Sequence, residues 1–89
     1  MPRYLLELYV PRREPLEEVA ARARLIGEAD AGSEASVRYV RTMFVAEDET
    51  CFHVFEAASR EALLEAARGS GLEDVRVTEA VETEGEESP

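Results

Sequence analysis

The chain has 89 residues, with 20 acidic side chains against 10 basic ones and a formal net charge of −10. That length fits one domain with a modest core, and the charge argues against nucleic acid or an anionic membrane as partner. Cys51 is the only cysteine, so no internal disulfide forms and a reducing, cytoplasmic setting is expected.

The first strand is read from the alternation of Tyr4, Leu6, Leu8 and Val10 with Leu5, Glu7 and Tyr9. Glu7 interrupts this stretch and Pro11 closes it, so it is too short for a signal peptide or a membrane span. Pro15 suits the start of a helix, with Glu17 and Glu18 favourable to the helix dipole. Leu16, Val19, Ala20, Ala23 and Ile26 recur on one face of that helix, and the pattern fades by Asp30 into a loop at Gly32 and Ser33.

A period of two returns from Val37 to Ala46. Glu47, Asp48 and Glu49 make a charged turn that lacks the spacing of a calcium loop, and Thr50 to Glu56 runs back as a third strand. Ser59 is placed to cap a second helix that buries Ala62, Leu63, Ala66 and Ala67 and stops at Gly69 and Gly71. Val75, Val77 and Val81 mark a fourth strand, on which Glu79 breaks the alternation. Residues 1–82 are therefore expected to form the domain and 83–89 an acidic, disordered tail.

The order strand, helix, strand, strand, helix, strand predicts an α+β, ferredoxin-like βαββαβ sandwich. It has a four-stranded antiparallel sheet with two helices on one face. Taking the more apolar set of each strand as helix-facing gives Leu6, Leu8, Val40, Phe44, Phe52, Val54, Val75 and Val77. The open face then receives Leu5, Glu7, Tyr9, Tyr39, Arg41, Met43, Val45, Cys51, His53, Phe55, Arg76 and Thr78. A face so apolar predicts a homodimer joined sheet to sheet.

On that face Glu7 and His53 would approach each other from the two central strands. Cys51 and His53, two apart in one strand, would point the same way with Cα atoms about 6.6 Å apart. Carboxylate, imidazole and thiolate suit a borderline divalent ion, with further ligands from water, other carboxylates or a second subunit. The plainer alternatives are a hydrogen-bonded structural His53, a small buried Cys51, and a Glu7 paired with Arg41 or Arg76. No glycine-rich phosphate loop, CxxC motif or basic RNA-binding signature is present.

The opening Met1 to Glu7, the hairpin from Val37 through Phe52, the run Phe55 to Ala62, and Gly71-Leu72 with Thr78 to Val81 together resemble a small bacterial family of unknown function. It is common in actinobacteria, and some of its members are labelled nickel-binding. The resemblance spans about residues 1 to 82 and implies a ferredoxin-like fold, a dimer, and a site for nickel or another divalent metal. Glu7 and His53 match family positions, although related sequences often carry cysteine where this chain has His53. Two functions are thus expected. One is a non-enzymatic dimer binding nickel or a similar ion through Glu7 and His53, with Cys51 assisting. The other is a dimeric α/β-barrel-type binding protein or enzyme, with Tyr9, Tyr39, Arg41, Met43 and Phe55 lining a small-molecule cavity and His53 as acid or base.

Overall fold

The computed structural model describes residues 1–29, 37–72 and 74–83. The expected loop at Gly32 and Ser33 lies outside them, as does the expected tail beyond Thr83. Strand β1 (Arg3–Tyr9) leads into helix α1 (Leu16–Ala29). Strands β2 (Val37–Val45) and β3 (Thr50–Ala57) form a hairpin around a short 3-10 turn at Ala46–Asp48. Helix α2 (Arg60–Gly69) and strand β4 (Arg76–Ala80) complete the ferredoxin-like order. The strands lie in the order β2-β3-β1-β4, and every neighbouring pair is antiparallel.

Helix α1 begins after Pro15, whose carbonyl accepts from the Glu18 and Val19 amides. It buries Val19, Ala20, Ala23 and Ile26, while Leu16, expected on that face, stays exposed. The Ser59 hydroxyl caps α2 by accepting from the Ala62 amide at 3.1 Å. Gly71, at φ +87°, takes the left-handed conformation that ends it. Gly27 lets α1 lie close on β2, since a Cβ there would stand 3.1 Å from the Tyr39 amide nitrogen.

The main core joins both helices to one sheet face: Tyr4, Leu6, Val37, Phe55, Ala57 and Val77 pack with Ala23, Ile26, Ala62, Leu63 and Ala67. Each large apolar side chain fully buried there contributes about 1.5–3 kcal/mol. The helix surfaces are mostly alanine, and this leaves room for bulky rings rising from the sheet. Phe55 is the largest fully buried side chain and His53 is among the others.

Register corrects the expected assignment of faces. Tyr4 pairs with Phe55, Leu6 with His53 and Leu8 with Cys51. Directly opposed antiparallel residues share a face, so Cys51, His53 and Phe55 lie under the helices and Phe52 and Val54 lie on the open side. On β2 the register shifts between Tyr39 and Arg41. Val40 is the extra residue of a β-bulge, which resets the alternation. Tyr39, opposite Phe55, therefore joins the helix side, where Phe44 lies as expected opposite Cys51, and Thr42 lies with it opposite His53. Arg41, Met43 and Val45 stay on the open side as expected. Glu79 is exposed on the edge strand β4, opposite Tyr4.

Candidate functional site

On the helix side, His53 is 1% exposed and is the only buried polar or charged side chain among the described residues. A buried polar group needs a partner, and the bulge supplies one. By placing Thr42 opposite His53 it sets the Thr42 hydroxyl 2.7 Å from His53 Nδ1. The same hydroxyl lies 2.6 Å from the Tyr39 hydroxyl. Cys51 Sγ is 3.7 Å from His53 Nε2. Tyr39, His53 and Phe55 meet edge to face, and the Arg24 guanidinium stands 5.7 Å above the Tyr39 ring.

The imidazole and thiol at the centre of this cluster are both uncharged at neutral pH. Burial lowers the pKa of His53 to about 4 and raises that of Cys51 to about 11. At neutral pH the pair is a thiol beside a neutral imidazole, the resting state of a packed structural cysteine rather than of an activated nucleophile.

The open side is a grid of four rows. Val45, Thr50 and Tyr9 form the first; Met43, Phe52, Glu7 and Arg76 the second; Arg41, Val54, Leu5 and Thr78 the third; Arg38, Glu56, Arg3 and Ala80 the fourth. Tyr9 is 67% exposed, Met43 46% and Val45 42%, so an apolar patch lies uncovered toward the first two rows. The fourth row is charged: Glu56 pairs with Arg3 at 3.2 Å and with Arg38 at 2.7 Å. Glu82, past the end of β4, joins Arg3 to Arg41. That bridge crosses β3 near Val54, which is buried. Hydrogen bonds from Arg3 and Arg41 hold the Glu82 carboxyl below its usual pKa.

Glu7 is half-buried and stands opposite Phe52 on one side and Arg76 on the other. The expected ion pair with Arg41 or Arg76 does not form among the described residues, and Arg41 is engaged by Glu82. Glu7 instead borders a groove of about 480 Å³ with Tyr9, Thr50, Asp74 and Arg76. At one end of the sheet, Glu49 has a left-handed backbone with φ 47°. Its carboxylate accepts from the Arg12 amide at 2.8 Å and the Tyr9 hydroxyl at 3.2 Å. These bonds, the Arg12 amide foremost, lower its pKa.

The expected sites are thus divided by the sheet. Of the metal set, Cys51 and His53 stay together while Glu7 is on the opposite surface. Among the described residues no group of three His, Cys, Asp or Glu side chains is placed to hold a metal ion. Of the cavity set, Tyr9, Arg41 and Met43 face outward while Tyr39 and Phe55 lie on the helix side. Two participants, Thr42 and Glu82, escape a reading of the sequence alone. Thr42 is in phase with helix-facing Phe44 and is missed because His53 is expected on the other face, and Glu82 has the composition of a solvated tail around it. No helix of the described residues is long and apolar enough to cross a membrane. No family model matches this chain, and no curated protein does.

Proposed function

We propose that this chain works as a homodimer that closes its open sheet face against a second copy and encloses a small-molecule site between the two sheets. The observation that carries this is the uncovered patch of Tyr9, Met43 and Val45 beside Leu5 and Phe52. A second copy offers a matching surface about a two-fold axis, and burying apolar area on both sheets drives the association. Charge favours an enclosed ligand over a macromolecule: a net charge of −10 repels nucleic acid and anionic membranes. The unpaired Cys51 fits a cytoplasmic setting.

Tag-free protein at micromolar concentration is expected to scatter light as a dimer, and Met43→Glu, which places a charge in the patch, as a monomer. A monomeric wild type would sink this reading.

A second reading is binding of nickel or a similar divalent ion, in line with the family resemblance. It is favoured by the 3.7 Å approach of Cys51 Sγ to His53 Nε2, two donors suited to such an ion. Their burial requires the packing around them to open before an ion enters, and Glu7 takes no part. For that reason the enclosed ligand site is the stronger reading.

A further inference from the structure

The bridge from Arg3 through Glu82 to Arg41 has the arrangement of an occupied anion site. Arg3 Nη1 donates to one carboxylate oxygen of Glu82 and Arg41 Nη2 to the other. The two arginines come from β1 and β2, which flank β3, so the carboxylate is held by groups that the sheet fixes apart. Arg3 is further steadied by Glu56 at 3.2 Å, which Arg38 also engages. Arg41 has no ion pair other than Glu82 among the described residues. Around the bridge lies a space of about 550 Å³, lined by Arg3, Arg41, Ala80, Glu82 and Thr83, which is within the range of small-ligand sites. Ala80 is the apolar part of that lining, and Leu5 and Val54 stand in the neighbouring sheet row with Arg41.

We propose that Arg3 and Arg41 form a clamp for the carboxylate of a small organic acid with an apolar body, and that Glu82 is the clamp's intramolecular occupant. Guanidinium pairs suit carboxylates because their donors match the two oxygens in direction and charge. Exposed ion pairs are individually weak, so Glu82 is displaceable. Being tethered, it competes at an effective concentration on the order of millimolar. A ligand must therefore gain from its apolar body as well as from its head group, and Glu82 sets a threshold against simple anions.

This assignment rests on the reading that the open face takes a small ligand, and names that ligand's head group. The clamp lies within one chain, so it is testable whether or not the chain dimerises. The test is titration of tag-free, full-length protein with sodium hexanoate at constant ionic strength. Binding is followed by two-dimensional 1H–15N NMR at the Leu5, Arg41 and Val54 amides, and the same spectra confirm that each variant is folded. Glu82→Ala is expected to bind hexanoate at least tenfold more tightly than wild type, and Glu82→Ala with Arg41→Ala to lose that gain. Hexanamide, which lacks the charge, and inorganic phosphate, which lacks the apolar body, are expected to bind at least tenfold more weakly to Glu82→Ala. The clamp is overturned if Glu82→Ala binds hexanoate no better than wild type, or if the double variant keeps the gain. Hexanamide or phosphate binding as well as hexanoate overturns the assigned ligand class. Light scattering on the same samples reports dimerisation separately, so failure of the clamp and failure of the dimer are told apart.

Discussion

His53 is paired across the sheet with Leu6 rather than with Glu7, and this one-residue offset places the imidazole beneath the helices and the neighbouring carboxylate on the opposite surface. Because side chains alternate strictly along a strand, no rotamer change brings Glu7 round to His53. A metal ion held by one is out of reach of the other within a single chain.

Nickel binding, if it occurs, depends on the two residues differently. In calorimetry on tag-free protein, His53→Ala is expected to abolish any tight, stoichiometric uptake and Glu7→Ala to leave it unchanged. Uptake that needs Glu7 but tolerates loss of His53 would refute the Cys51–His53 reading and move the ion to the open face.

Stability should fall at both ends of the pH scale because of the buried cluster. The pKa of His53 drops from 6.5 to about 4 on folding, so between those values the unfolded chain binds the extra proton. The contribution, about 3 kcal/mol, is fully present above pH 6.5 and is lost as pH falls toward 4. Cys51 acts in the opposite sense, since its pKa rises from 9 to about 11. Its contribution is present below pH 9 and is lost as pH climbs toward 11. Denaturant midpoints measured from pH 5.5 to 7 are expected to rise in wild type and to rise much less in His53→Phe, where the remaining change comes from carboxylates such as Glu49 and Glu82, whose pKa is lowered on folding. A wild-type midpoint that does not vary over that window would show that His53 is not buried in its neutral form.

Thr42 links two buried or half-buried polar groups, so its removal should be felt at both. Thr42→Val keeps the shape but leaves His53 Nδ1 and the Tyr39 hydroxyl without their shared partner, and is expected to cost about 1–3 kcal/mol. Thermal melting checks this, with Thr42→Ser as the control that retains the hydroxyl and most of the stability.

Glu49 combines an unfavourable backbone angle with useful side-chain bonds. Glu49→Ala is expected to lower the melting temperature, because it loses the bonds to Arg12 and Tyr9 and keeps the positive φ. Glu49→Gly should lower it less, since glycine adopts that conformation freely. The reverse order would mean that the angle relaxes once the carboxylate is gone.

The fold was legible because each element is signalled by local periodicity: Tyr4 through Val10 for a strand, Val19 through Ile26 for a helix, Ser59 for a cap. The sites were less legible because they depend on which way a strand faces, and β3 is apolar on both sides. Phe52 and Val54 compete with Phe55 and Cys51, and composition alone does not decide between them. Register does, once β1 is fixed by Leu6 and Leu8. On β2 the bulge at Val40 takes Tyr39 out of the simple alternation, while Thr42 stays in phase with Phe44 and escapes notice as the partner of His53 because His53 is expected on the other face. Glu82 was obscured for another reason: a bridge between residues 3, 41 and 82 has no local signature.

The bulge also bears on how large an assembly can become. β2 is one of the two edges of the sheet, and at Val40 its ladder is interrupted, which makes it a poor template for another strand. The other edge, β4, is only five residues long. With both margins blunted, strand-by-strand growth into extended fibrils is discouraged. In the proposed dimer, association through the broad face uses up that face, so recruitment of copies would end at two.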